Sequence, residues 1–165
     1  MQTLSIETLT PAAFAPFGDV IEAGAAALTY PINDGTALRY HALARVDCQS
    51  GDGHAVISLV RAQPREFPFV IAGLERHPLG SQAFIPMNAT PYLIVVAASP
   101  DSPPRAFLAR NGQGINFHRG TWHHPLLGLD AVSDFLVVDR AGEGDNCEEV
   151  ALPQAWRIER VVNPD

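Results

Sequence analysis

The chain has 165 residues, a formal net charge of −7 and no lysine, all eleven of its basic residues being arginine. The negative overall field would repel a phosphate backbone, which disfavours nucleic acid as a partner, and without lysine there is no Schiff-base or lysine-bound pyridoxal chemistry. No apolar run approaches the roughly 20 residues needed to cross a bilayer and no basic, apolar leader opens the sequence, so a cytoplasmic protein without a membrane partner is expected.

A chain of this length suits one domain, residues 1–165, with a single substantial core. Fourteen prolines and thirteen glycines point to many short elements joined by defined turns, which favours β structure over a helical bundle. Cys48 and Cys147 are expected to be free thiols, because a chain able to build its own core in a reducing compartment needs no bridge.

Taken in chain order, the first element is a short helical turn. Thr10 can cap it, Pro11 fits the first helical position, Ala12, Ala13 and Phe14 carry it, and Phe17-Gly18 ends it. Residues 23–28 read as a bland surface loop. Short segments rich in Val, Ile and Phe, bounded by Gly, Pro, Asn or Asp, then predict strands over 38–47, 54–63, 67–77, 82–87, 92–98, 106–109, 115–118 and 132–139. The turn-rich stretch 99–105 is expected to lie outside the body of the fold. Strands at fairly even spacing with no long helical pattern between them imply a sandwich or a closed barrel.

Five of the six histidines sit beside other reactive side chains: His41 near Arg39, His77 near Glu75, and His118, His123 and His124 in the stretch NFHRGTWHHPL. His54 reads as a surface residue at a strand start. Side chains alternate along a strand, so Glu75 and His77 are expected on one face, as are Arg39 and His41. Glu75-x-His77-x4-Gln82, followed some forty residues later by His123, suits a metal or polar-substrate site, with imidazole and carboxylate donors converging from neighbouring strands. The plainer reading, in which His77 ends a turn before Pro78 and Glu75 pairs with Arg76, stays open. Adjacent histidines on extended backbone face opposite ways, so at most one of His123 and His124 lines the cavity; His123 is the choice, and His124 reads as a hydrogen-bonded structural residue before Pro125. Arg39, Arg61 and Arg119 are candidates to grip a carboxylate through paired hydrogen bonds.

Missing motifs narrow the chemistry further. There is no G-x-S-x-G nucleophile elbow, phosphate loop, G-x-G-x-x-G after a strand or C-x-x-C pair, the usual marks of serine hydrolases, nucleotide hydrolysis and nicotinamide enzymes. Cys147 lies among acidic residues, which raise a thiol pKa and argue against a cysteine nucleophile.

The blocks ERHPLGSQAFIPM, RYH at 39–41, RAQP from Arg61, NFHRGTWHHPL and the run from Asp139 to Cys147 together resemble the ureidoglycolate lyases, over nearly the whole chain. That resemblance implies a mainly β, cupin-like double-stranded β-helix, or jelly-roll barrel, behind the short N-terminal helix. It also implies a homodimer and the cleavage of ureidoglycolate, the S enantiomer, to glyoxylate and urea in purine and allantoin degradation, with nickel as a divalent cofactor. Set against the general cupin pattern, Glu75 stands for the first histidine, His77 for the second, Gln82 for the usual glutamate and His123 for the histidine of the second motif. On this reading Glu75, His77 and His123 form the metal cluster and Gln82 assists. Arg61 or Arg39, with Arg119 as a further candidate, grips the substrate carboxylate, and His118 or His41 donates the proton to urea. Two other classes share the same residues: a cupin-type iron oxygenase, and a non-catalytic module binding a small acid.

Overall fold

The computed structural model describes residues 1–159. In chain order the strands are β1 (Gln2–Thr3), β2 (Ile6–Thr8), β3 (Gly18–Ile21), β4 (Leu28–Ile32), β5 (Ala37–His41), β6 (His54–Ala62), β7 (Phe69–Arg76), β8 (Gln82–Pro86), β9 (Tyr92–Ala97), β10 (Arg105–Ala109), β11 (Gly114–Phe117), β12 (Trp122–His123), β13 (Leu127–Gly128), β14 (Ser133–Ala141) and β15 (Glu148–Ile158). The single α-helix among the described residues, α1 (Pro11–Phe14), starts as expected: Thr10 is extended and its hydroxyl accepts from the Ala13 N–H. Short 3-10 turns occupy Ala23–Ala25 and Asn33–Gly35.

The strands form two facing sheets and one separate hairpin. The larger sheet runs β1-β15-β7-β12-β9-β10-β2, with β13 also on β9; the smaller runs β3-β11-β8-β14-β6; β4 and β5 pair only with each other. The sheets curl into a cupin-like half-barrel, and among the described residues no strand pairing closes β6 onto the β1–β15 edge.

Alternation explains where the core sits. Phe14, Phe17, Phe84, Tyr92, Ile94, Val96, Phe107, Phe117, Phe135 and Val137 fill the space between the sheets. The other face of the larger sheet buries a second cluster that includes Ile71, Leu74, Leu93, Val95, Leu108 and Ile158. The run Tyr92–Ala97 is buried throughout because β9 is covered on both faces. Phe14 is fully buried and its ring meets Phe107 edge-on at 5.6 Å, so α1 plugs one end of the barrel.

Most expected strands are present, with ends moved by one to three residues. The largest change is at 38–47, where the strand stops at His41. Ala42 takes φ +52°, and residues beyond it leave the hairpin to cross the outer face of the smaller sheet. There the Arg45 carbonyl accepts from Asn116, and Asp47 and Ser81 exchange backbone and side-chain hydrogen bonds. The longest strand, β15, was not expected. It carries Pro153, many polar residues and a register break between Ala151 and Trp156, so it lacks a clean two-residue period. The loop expected at 23–28 holds a 3-10 turn and the first residue of β4.

Arg105 ties β10 to β2 through a two-pronged bond to Glu7 at 2.6 and 2.9 Å, with its guanidinium over the Phe107 ring at 4.8 Å. The Arg105 hydrogen bonds hold the Glu7 carboxyl below the usual glutamate range. A carboxyl depressed by folding contributes stability that is complete above about pH 4.3, the unfolded value, and lost as pH falls through the folded one. Glu7→Gln is therefore expected to lower Tm near neutral pH, with the gap to the parent closing in acid; a gap that stays constant down to about pH 2 refutes this. Phe14→Ala should cost about 3–5 kcal/mol in denaturant unfolding, the usual range for emptying a large aromatic site.

Candidate metal and substrate site

Strand register sets the site. His123 of β12 stands opposite Glu75 of β7 on one side and Val96 of β9 on the other. Opposed residues share a face, and Val96 is buried between the sheets, so Glu75 and His123 both point inward. On the facing sheet Gln82 stands opposite the inward Phe117, and Asp139 follows the inward Val137 by two residues. His77 lies just past β7, where its carbonyl accepts from the Gly120 N–H at 2.9 Å. Gly120 takes φ +77°, a turn that suits glycine and starts the approach to β12.

Donor atoms of Glu75, His77 and His123 all lie within 4.8 Å of one another. His123 is 2% exposed, stacks on Phe117 at 4.1 Å and donates from Nδ1 to the Thr121 carbonyl at 2.9 Å. That bond leaves Nε2 as the lone-pair nitrogen. Nε2 has no hydrogen-bond partner and faces the Glu75 carboxylate at 3.4 Å. A buried lone pair facing a carboxylate oxygen is unfavourable unless a proton or a cation lies between them. The donor set therefore fits a borderline divalent cation, with the carbonyl behind His123 fixing its tautomer as outer-sphere partners of metal-bound histidines do.

His77 is braced on both sides. Its Nδ1 lies 2.6 Å from the Asn146 carbonyl, and its Nε2 lies 3.1 Å from Gln82 Oε1, whose amide N–H donates to Asp139 at 3.2 Å. A cation bound at Nε2 would displace the Gln82 amide, so Gln82 serves better as a hydrogen-bonding neighbour than as a ligand. The His123 imidazole beside it is the main reason Glu75 is held below the usual carboxylate range; burial opposes this, and His77 and His124 add to it. Glu75 is thus ionised at neutral pH. Partial burial first, then the Glu75 and Glu149 carboxylates, push the Cys147 thiol up, and both cysteines are free thiols.

Beside the cluster lies a groove of about 620 Å³ bordered by Val70, Ala72, Glu75, His124, Pro125 and Glu149. His124 borders it while His123 points into the interior, the His124 N–H still bonding the Val95 carbonyl of β9 at 2.9 Å. Burial pushes the His124 imidazole down, and its Nδ1 donates to the Pro125 carbonyl at 2.8 Å. It is therefore neutral at pH 7, with Nε2 open as an acceptor.

The remaining expected site residues lie elsewhere. His118 and Arg119 face a separate cleft of about 580 Å³ on the outer side of the smaller sheet. There His118 meets Asp19 at 3.1 Å, and Arg119 grips Asp47 at 2.5 and 2.9 Å. The side of His118 follows from alternation, since Phe117 points inward and its neighbour does not; Arg119 lies beyond the end of β11 and is held outside by Asp47. Arg61 opposes Asp134 on the outward face of β6 and β14 and binds it at 2.8 and 2.9 Å, with its side chain 70% exposed. Arg39 and His41 lie on the β4–β5 hairpin, with Arg39 exposed and the His41 ring 5.9 Å from Tyr30.

A family model described as ureidoglycolate lyase matches residues 1–159. The chain belongs to the ureidoglycolate lyase family. Relatives of that name include one from Brucella melitensis biotype 2 (strain ATCC 23457), 54% identical with 96% of each chain covered. Another, from Burkholderia mallei (strain NCTC 10229), is 53% identical over 94% of this chain and 92% of that protein. One from Pseudomonas syringae pv. tomato (strain ATCC BAA-871 / DC3000) is 49% identical over 99% and 98%.

Four groups that position the cluster of this family member carried no signal of their own in the sequence. These are the Thr121 and Asn146 carbonyls, the Phe117 ring and the Asp139 carboxylate. Backbone carbonyls have no residue signature, and Asp139 reads as an ordinary strand-end charge. Calorimetric titration with Ni²⁺ should show one site, with affinity reduced at least roughly 100-fold in His123→Ala or Glu75→Gln and changed far less in Gln82→Ala. Equal losses in all three would mean that Gln82 is a ligand after all.

Proposed function

We propose that the chain cleaves ureidoglycolate, the S enantiomer, to glyoxylate and urea in purine and allantoin degradation. The observation that carries this reading is the buried, unpartnered Nε2 of His123 facing an ionised Glu75 beside an open groove, in a chain of this family. The proposal includes a single domain over 1–165, a cytoplasmic location and a homodimer, as the sequence and its resemblance suggest.

Ureidoglycolate is a carbinolamide bearing a carboxylate. Cleavage needs the hydroxyl proton removed, the carbon–nitrogen bond broken and the departing urea nitrogen protonated. No covalent intermediate is needed. Glu75, His77 and His123 would hold a divalent cation, nickel by resemblance, whose positive charge lowers the pKa of a nearby hydroxyl. Gln82, tethered to Asp139, offers its amide to a polar group of the substrate. His124 borders the groove beside Glu75, so we assign it the proton: Nε2 takes it from the hydroxyl and returns it to the urea nitrogen as the bond breaks. His118 and His41 lie away from this groove within the protomer, which favours His124 for the task.

Purified protein supplied with ureidoglycolate should release urea and glyoxylate in equal amounts. A chelator should slow the release and added Ni²⁺ restore it. His123→Ala should abolish turnover in a protein that is still folded by circular dichroism, and His124→Ala should lower kcat by roughly 10²–10⁴-fold, the usual contribution of a general acid–base group. Ammonia in place of urea would overturn the lyase assignment, and full activity in His124→Ala would remove that residue from the proton path.

A further inference from the structure

The β4–β5 hairpin has almost no support from its own protomer. Its strands form a sheet of two and pack chiefly on each other and on the turn at the tip; no other strand or helix makes more than a marginal contact with them. An isolated two-stranded hairpin is at best marginally stable in water. This one also exposes apolar groups on both faces. Cross-strand pairing puts Leu28, Ile32, Arg39 and His41 on one face and Leu38 and Tyr40 on the other, with Leu28 53%, Leu38 54% and Tyr40 42% exposed. A ribbon apolar on both sides suits insertion between two walls better than lying on one.

The half-barrel has such a gap on its open side. Val60 of β6 stands opposite Phe135, a core residue, so it faces inward, yet it is 38% exposed because nothing covers it there. Val70 of β7 borders the groove and is 43% exposed. The floor between these walls is acidic, with Glu75 and Glu149 paired across β7 and β15; among the described residues no arginine is hydrogen-bonded or ion-paired into it, although Arg65, over the Phe69 ring at 5.7 Å, is felt by His124 at its border. A divalent cation on Glu75, His77 and His123 would offset part of this charge, but a two-pronged grip on a substrate carboxylate calls for a guanidinium brought in from elsewhere. Arg39 has no carboxylate partner among the described residues.

The hairpin does not serve its own groove: none of its residues borders that groove, and it leaves from β3, at the edge of the smaller sheet opposite β6. Its return segment is also fastened to the outer face at Asn116 and Ser81.

We propose that two copies of this chain pair about a twofold axis and exchange these arms. The β4–β5 hairpin of each then enters the open side of the other's half-barrel, where Arg39 anchors the substrate carboxylate above Glu75, His77 and His123. The site is incomplete in a single protomer. The role of Arg39 rests on the proposed reaction; the arm exchange does not.

Two experiments separate these claims. Ala37→Cys, on the same face of the hairpin as Arg39, should form a disulfide with Cys147 of a second copy, which lies with Glu75 and Glu149, giving a covalent dimer on a non-reducing gel that disappears in Ala37→Cys with Cys147→Ser. A monomer in light scattering at micromolar concentration, 17.8 kDa, or a dimer without this cross-link, overturns the exchange whether or not the protein is a lyase. Next, Arg39→Ala and His123→Ala, each folded by its Tm and each at least 100-fold less active, are co-expressed with different tags and hybrid dimers purified. Exchanged arms leave one intact site per hybrid, so a statistical mixture regains about a quarter of parental activity. Sites built within one protomer leave every site damaged, and verified hybrids without regained activity overturn the role of Arg39. A parent protein that forms the cross-link but releases no urea refutes the reaction and leaves the arm exchange standing.

Discussion

The site depends on one short strand, β12, being held between β7 and β9. That pairing places His123 across from Glu75 and buries its ring against Phe117. The Thr121 carbonyl then fixes the tautomer, so the remaining nitrogen faces a carboxylate inside the protein. Two residues of strand do this because the neighbouring strands supply the rest of the geometry. A slip of one residue would turn the imidazole to the other face of the sheet and dissolve the cluster.

Charge is used sparingly around this cluster. Most of the arginines are occupied by structural work: Arg105 with Glu7, Arg119 with Asp47, Arg61 with Asp134, Arg76 with Glu148. Arg76 also lies over the Trp122 ring at 4.6 Å, on the face of the sheet away from the cluster. The interior near Glu75 therefore keeps a negative character, which favours a cation and disfavours a free carboxylate anion. The same distribution separates the two clefts. The inner one holds metal-type donors, and the outer one, with His118 and Arg119, holds charges already balanced by Asp19 and Asp47.

Much of the fold was legible in the sequence, and the reason is periodicity. The helical turn at Thr10 to Phe14 and the strands of the barrel follow from caps, turn residues and short apolar runs. β15 escaped because its pattern is broken by a register shift and by Pro153. Of the site, Glu75, His77, Gln82 and His123 were readable from residue type and spacing. His118, Arg119 and Arg61 look equivalent to them in one dimension, yet His118 and Arg61 each stand one position from an inward residue and Arg119 turns outward past the end of β11, so these three lie outside. His124 was set aside because at most one of two adjacent histidines was expected at the cavity, yet a second groove beside Glu75 reaches it.

Residue types, caps and turn signals were enough to place the chain in its class: a β fold with a capped N-terminal turn, a histidine and carboxylate donor set, and blocks that match one enzyme family. Which donors meet was settled by long-range packing. Register between β7, β12 and β9 is a long-range property, fixed by packing across the barrel and invisible to local spacing. The same holds for the bare β4–β5 arm and the open side of the half-barrel, since whether a strand finds a neighbour depends on where distant strands end.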